Sequence, residues 1–225
     1  MMQYIYETHC HTDESSSCGR IPGEETAKMY RDEGYAGIVI TDHFNAPTYR
    51  HSGANSWDEF IDFNLHGYLE AKKMETADFK VFHGLEMRFT KDNDNDYLVF
   101  GATEEYLRSH PFIYDFDDFD KFYEMAKKDG LLVFQAHPFR DNMTVTRPEF
   151  LDGIEVFNGN KRHDSRCDIA LAWSKKFNLR MLSGSDCHEY EDFARGGIVS
   201  DVKCETMDDF MKMLIDCNYS LKYNY

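Results

Sequence analysis

Nowhere in this chain of 225 residues do about 18 apolar residues run together, and no basic segment leading into an apolar stretch opens it. A signal peptide or a membrane-spanning helix is therefore not expected, and a cytoplasmic location is the simplest expectation. Basic residues are scarce, with 25 Lys and Arg against 41 Asp and Glu and a formal charge of -16. Such a surface argues against duplex nucleic acid or an anionic membrane as the main partner, though it leaves room for small anions held at a metal. Cysteine is present only six times, at positions 10, 18, 167, 187, 204 and 217, with no Cys-x-x-Cys pair. That is too sparse for a disulfide scaffold, so reduced thiols are expected. No Gly-x-Ser-x-Gly elbow occurs, and the histidines gather with carboxylates instead. There is neither an internal repeat nor a low-complexity linker, and the length suits one core, so residues 1–225 are expected to form a single domain.

What the chain does have is a recurrent pattern at the ends of β-prone runs. The first run, from Tyr4, ends in His9 and His11, which a strand would point to the same side while Cys10 faces the other. A lone His-x-His is weak evidence. Here it has company: Asp42 and His43 end an apolar run, Glu86 ends another, His137 a third, and Asp186 and His188 a fourth. Imidazoles and carboxylates placed just beyond successive strands are what a barrel with its site at the strands' C-terminal ends requires.

Residues 4–9 read as strand, 12–23 as a polar loop, 24–33 as a helix ended by Gly34, and 37–41 as a buried parallel strand. Residues 45–56, with Pro47 and Gly53, read as irregular and as a cover for the site. A helix is expected over 57–76, weakened by Gly67, then a strand over 79–89. The run Asp92, Asp94, Asp96 resembles a calcium loop but has Tyr97 at the sixth place and Thr103 at the twelfth, so it fails as one. Asp92 and Asp94 read as a solvated turn, whereas Asp96 leads directly into a candidate strand through Phe100. A helix over 117–128 buries Phe119, Phe122, Tyr123 and Ala126 at helical spacing. Strands over 131–134, 154–157 and 180–183, a helix over 164–177, an extended run over 197–202, a helix over 207–215 and a short terminal strand complete about seven strand-helix repeats. His51, His66, His83, His110 and His163 read as surface or packing histidines.

Taken in order, His9-x-His11, Thr41-Asp-His43, Gly84-x-Glu86, His137-Pro138 and Gly184-Ser-Asp186-x-His188 resemble the PHP family, named for polymerase and histidinol phosphatase. The resemblance implies an α/β fold, a distorted seven-stranded β/α barrel of TIM-barrel-like form, holding two or three divalent ions of zinc, manganese or iron. It also implies phosphoester hydrolysis. Carried over position by position, it makes His9, His11, His43, Glu86, His137, Asp186 and His188 metal ligands, with Glu86, Asp186 and His188 central to catalysis. Two positions depart from the family pattern. Asp96 stands where many members place a His, and a carboxylate there favours harder ions. The ligand that members often carry in the loop after His11 falls near Ser16 or Ser17, with Asp13 or Glu14 the acidic alternatives nearby.

Arg140, then Arg20 and Asn158, are expected to meet substrate phosphate, since guanidinium forks phosphate oxygens well. The expected chemistry is hydrolysis of a small phosphorylated substrate by a water whose pKa two ions lower to about 7. The proton for the leaving alkoxide would come from a metal-bound water or a site histidine. A hydrolase of non-phosphate substrates on the same metals, or a non-catalytic metal-binding regulator, are the competing readings.

Overall fold

The computed structural model describes residues 2–91 and 94–223, so Asp92 of the calcium-like run lies outside the described residues. In chain order the elements begin β1 (Tyr4–Cys10), α1 (Gly23–Asp32), β2 (Gly37–Ile40), β3 (His43–Phe44), α2 (Ala46–Ser52), α3 (Trp57–Lys72), β4 (Lys80–Arg88) and β5 (Asp96–Phe100). They continue α4 (Glu104–Ser109), α5 (Phe119–Lys128), β6 (Leu132–Gln135), β7 (Gly153–Asn158), α6 (Cys167–Phe177), β8 (Arg180–Gly184), β9 (Gly196–Ser200), α7 (Met207–Ile215) and β10 (Ser220–Tyr223). Local chemistry starts the helices where they start: Ser56 accepts from the Glu59 amide at the head of α3, and Thr206 and Asp209 form a reciprocal capping box on α7. Among the described residues no helix is long and apolar enough to cross a membrane.

The strands form one mixed sheet in the order β10-β9-β1-β2-β4-β5-β6-β7-β8, with β3 paired to β4. The sheet curls nearly shut, because Cys10 bridges Cys187 just past β8 through a 3.0 Å bond from the His11 amide. Strands β1, β2, β4, β6, β7 and β8 all run one way, while β5 and β9 run against them. The α/β barrel expected from the sequence is therefore present, but with nine strands on its path rather than seven. One antiparallel pairing follows from a short connection: β4 and β5 are joined by too few residues for a crossover helix, so they pair as a hairpin.

Alternation along the strands divides the inner face into two zones. Phe82 and Glu86 share a face of β4, as do Phe100, Leu98 and Asp96 on β5. At one end this face is apolar, with Tyr6, Val39, Phe82, Phe100, Phe134 and Leu182 packed together. Helix α7 closes that end, its Phe210 ring 5.6 to 6.0 Å from those of Tyr6, Phe82 and Phe100. At the other end the same face carries acids and imidazoles.

Residues 45–56 are not irregular. Asn45 accepts from the Thr48 amide, Pro47 sits in the first turn where it costs no hydrogen bond, and Gly53 ends α2 at φ 68°. Pro47 initiates this helix rather than interrupting the chain's regularity. Instead of covering the site, α2 packs Ala46 and Tyr49 on the large apolar cluster outside the sheet. Gly67, the weak point of α3, has a steric reason: a Cβ there would lie 1.8 Å from Thr12 Oγ1 and 2.9 Å from Asp42 Oδ2.

Candidate metal centre

Strand ends and the interior of β4 deliver polar side chains to the open end of the barrel. His9 is the last residue but one of β1 and His11 follows the strand; Glu86 lies within β4; His137 and Asp186 follow β6 and β8. Asp96 begins its strand, yet because β5 runs antiparallel its start lies at the same end as the other strands' exits. Three clusters of mutually close donor atoms result: His9, His11 and Asp186; Glu86, Asp96 and His137; and His11, His43 and His188.

Glu86 joins them. Its Oε1 is 3.0 Å from His137 Nε2 and 3.3 Å from His9 Nε2, while its Oε2 is 3.3 Å from His11 Nε2 and 2.7 Å from His43 Nδ1. Asp186 Oδ1 lies 3.3 Å from Nε2 of His9, from Nε2 of His11 and from Nδ1 of His188. Despite these distances, Glu86 Oε2 and Asp186 Oδ1 are buried without a hydrogen bond. A buried carboxylate oxygen without a bond is costly. Donor atoms crowded at about 3 to 3.5 Å, with two carboxylate oxygens among them left without a hydrogen bond, have the spacing of ligands on a shared ion, whose bonds would be about 2.0 to 2.2 Å. The residues present thus fit divalent ions.

Charge in the cluster is strongly redistributed. Burial alone would make His9 neutral, but Asp186, Glu155 and Glu86 hold it well above its ordinary value. Burial likewise works on Glu86 and Asp186 and is overcome, by His43 and His9 for the first and by His9 and His188 for the second, so both stay well below the usual carboxylate range. His188 is pulled up to about 10 by Asp186 against its own burial. His11, buried beside His188 and His43, is the one imidazole pushed well down.

A cavity of about 210 Å³ opens over these groups, lined by His43, Glu86, Asp96, His137, Asp186 and His188, with Cys18, Arg88, Arg140, Asn160, Arg162 and His163 completing it. Larger hollows exist, including one of about 620 Å³ along residues 109–125, but that one holds a single imidazole and no convergent set of donors.

A family model for the PHP domain matches residues 7–216. The chain belongs to the PHP domain family. No curated protein sequence matches it. Among solved structures, a two-domain protein from Bacteroides vulgatus containing a predicted PHP-like metal-dependent phosphoesterase superposes with TM-score 0.69 at 18% identity, over 99% of this chain and 65% of that one. PsfC from Pseudomonas syringae gives 0.69 at 14%, over 100% and 93%. The lesion-specific endonuclease PfuEndoQ from Pyrococcus furiosus gives 0.64 at 15%, over 99% and 58%. At such identities the likeness is one of fold, and the chain spans about two thirds or less of the first and third of these proteins.

Within this PHP barrel the eight residues expected as metal ligands all reach the open end. Asp96 arrives already engaged, since Arg88 grips both its oxygens at 2.8 and 2.6 Å, and His137 Nε2 is 3.9 Å away. Arg140 lines the cavity; its Nη2 donates to Asp186 Oδ2 at 2.8 Å and Asn158 Oδ1 at 3.0 Å, and its Nε is a buried donor with no partner. Asn158 spends its amide on Glu155 and Asp186, at 2.8 and 3.1 Å, rather than facing the cavity. Arg20 is exposed, donates to the Ser17 carbonyl and does not line the cavity. Glu14 turns away to accept from the Gly23 amide at the head of α1, and Asp13 is exposed. His163 lines the cavity, whereas half-buried His83 packs against Tyr68 outside the site and is pushed down to about 4 by desolvation. Cys187 points away, its thiol toward the Glu189 carbonyl.

Several residues that shape the site were given no role from the sequence. Glu155, fully buried in β7, accepts from His9 Nδ1 at 2.9 Å, the His137 amide at 2.9 Å and Asn158 at 2.8 Å. It leaves His9 Nε2 free to face the cluster, the role carboxylates take behind metal-bound imidazoles. Glu7, also buried, accepts from the Thr8, His9 and Ser185 amides and so ties β1 to the segment bearing Asp186. Asp42 takes the Thr12 amide and hydroxyl and the Ser16 hydroxyl, each at 2.7 Å, and clamps the loop after His11. Cys18, at the end of that loop, lies 3.2 Å from His43 Nε2 and faces His188 too; although burial raises it, the two imidazoles bring its thiol down to about 6.

Proposed function

We propose that this chain is a metal-dependent phosphoesterase that hydrolyses a small phosphomonoester or phosphodiester, using two or three divalent ions of zinc, manganese or iron. The observation that carries this reading is the convergence on one small cavity of His, Asp and Glu atoms spaced for shared ions, two of them unpaired carboxylate oxygens, beneath three arginines. His9, His11, His43, Glu86, Asp96, His137, Asp186 and His188 are the residues that would hold the ions, Glu86 lying against imidazoles of all three clusters. The chemistry such ions supply is Lewis acidity, which lowers the pKa of water and offsets charge on phosphoryl oxygens. Glu155 and Glu7 hold the ligands in place. Arg140 offers its unpartnered Nε to a phosphoryl oxygen, and Arg88 and Arg162 present further positive charge at the cavity wall. Arg20 and Asn158, by their surroundings, are weaker candidates for that contact.

A cavity of about 210 Å³ and a charge of -16 favour a small substrate over duplex nucleic acid. Apolar clusters drawing on residues from Tyr6 to Leu221 support treating residues 1–225 as one barrel domain. The deciding experiment is a substrate panel of a small phosphomonoester, a 5′-phosphorylated oligonucleotide and carboxylic esters and amides, run with added zinc, manganese or iron and with chelator. Metal-dependent turnover of the phosphomonoester, with kcat collapsing in Asp186→Asn at saturating metal, is the expected result. Turnover of amides alone, full activity in chelator, or near wild-type kcat in Asp186→Asn would overturn it.

A further inference from the structure

We infer that Cys18 is a metal ligand, giving the His11, His43 and His188 corner of the centre a thiolate donor. The inference rests on the metal-dependent reading above and goes beyond the eight residues it names. The loop after His11 leaves Cys18 as its donor. Ser16 is committed elsewhere, its hydroxyl donating to Asp42 at 2.7 Å and accepting from the His43 amide at 3.2 Å, and Ser17 is exposed. Glu14 is bound to the Gly23 amide. Cys18, by contrast, lines the cavity, with Sγ 3.2 Å from His43 Nε2. Sulfur and imidazole nitrogen on one tetrahedral ion, with bonds of about 2.3 and 2.0 Å, would lie roughly 3.5 Å apart.

The backbone holds the thiol there. The Ser16 amide donates to the Thr12 carbonyl and the Gly19 amide to the Ser16 carbonyl, folding the loop tightly about Cys18. Gly19 is required by this closeness, since a Cβ would lie 2.2 Å from the Thr12 carbonyl oxygen. A second observation points independently to a cation at this corner. Asp186 Oδ1, buried and without a hydrogen bond, faces both His11 and His188. The three imidazoles stack or tilt against one another, His11 4.1 Å from His188 and 4.5 Å from His43 between ring centroids, an arrangement that an ion among their nitrogens would stabilise. A thiolate selects softer ions, so this corner should prefer zinc or ferrous iron over manganese, whereas Asp96 and Glu86 suit harder ions at the opposite corner.

Cobalt(II) separates the two claims in one spectrum. In full-length protein stripped of metal and reloaded with cobalt under reducing conditions, visible ligand-field bands report an ion in the centre, and a near-ultraviolet sulfur-to-cobalt band reports thiolate ligation. Both should appear in the wild type and in Cys217→Ser, which alters an exposed thiol remote from the site. Cys18→Ser should keep visible bands from the remaining corner but lose the near-ultraviolet band and bind less cobalt. Cys18→His should recover the cobalt content without that band. Visible bands with no near-ultraviolet band in the wild type, or a band that survives Cys18→Ser, would overturn the thiolate assignment alone. Failure to bind cobalt at all would overturn both it and the metal reading.

Discussion

Replacing Glu155 by Gln removes one negative charge while keeping size and shape, and the consequence can be worked through atom by atom. The native carboxylate is an acceptor at both oxygens: Oε1 faces His9 Nδ1, and Oε2 takes the His137 amide and the Asn158 side chain. A glutamine has one acceptor and one NH2 group, so whichever way it turns, a donor meets a donor. Turning the NH2 toward His9 is the less costly choice, because the imidazole can answer by moving its proton from Nδ1 to Nε2. That proton then occupies the atom that faces Glu86, His11 and Asp186. His9 would cease to be a competent ligand without moving. Loss of such a supporting carboxylate typically lowers metal affinity about 10- to 100-fold. The weakened network should also cost about 1 to 3 kcal/mol of stability, or roughly 2 to 12 °C in Tm for a chain of this size. Affinity would be read by competition with a chromogenic chelator, and the His9 tautomer by nitrogen chemical shifts. If Glu155→Gln stays folded and binds zinc within about 2-fold of wild type, with Nδ1 still protonated, Glu155 does not set the tautomer and its place in the site has to be abandoned.

Arg140→Ala should raise KM for a small phosphomonoester and lower kcat/KM by roughly 2 to 4 kcal/mol. An unchanged KM would leave Arg140 only its structural bonds to Asp186 and Asn158. For Asp96, held by Arg88, two mutants are diagnostic: Asp96→Ala should lower metal occupancy while Asp94→Ala should not, and equal behaviour would leave Asp96 only its ion pair with Arg88. In the metal-free protein the His188 proton is a source of stability, since Asp186 raises the group from 6.5 to about 10 against its burial. That contribution is complete below pH 6.5 and lost as pH rises through about 10, so the urea midpoint of the metal-free protein should fall across that window; a flat profile would refute the pairing.

How much of this was legible in the sequence depended on where each residue sat relative to regular structure. Motifs at strand exits were readable because an apolar run ending in His or Asp is a local pattern, and the fold does bring His9, Glu86, His137 and Asp186 together at one end. Glu155 and Glu7 were illegible because each is a single acid inside an otherwise strand-like run, where alternation ordinarily assigns it to solvent. Both strands are irregular at these points, β1 shifting register between Glu7 and Cys10 and β7 between Glu155 and Phe157. Bulges of this kind re-aim side chains and leave little local sequence signal. Arg88 and Arg162 depend on tertiary placement alone. The helix start at Asn45 and Pro47 is legible in principle, since Asn before a Pro in the first turn is an initiation signal, but Pro and Gly close together also mark irregular chain.

Cys187 turns away from the site for a reason other than strand alternation. Alternation along an extended segment predicts that Cys187 turns away while Asp186 and His188 share a side, and the thiol is indeed turned away. The segment is not extended, however: Asp186 has φ 49°, and His137, at the matching exit from β6, has φ 27°. Neither residue is glycine, so each conformation costs of order 1 to 3 kcal/mol and persists only where the surroundings over-determine it. They do so here. The His137 amide is held by Glu155, the Ala136 amide by the Asp96 carbonyl, and Cys187 is tied on both sides to β1. Gly184 permits the approach, since a Cβ there would lie 2.5 Å from that of His9 and 2.7 Å from Glu155 Oε1. The left-handed residues make the chain turn as it leaves each strand, and the turned segments carry His137 and Asp186 at the barrel mouth. Two strained exits, two register shifts and two buried unpaired carboxylate oxygens coincide at one place, and in an otherwise well-bonded interior that coincidence is the expected mark of a site shaped to bind something else.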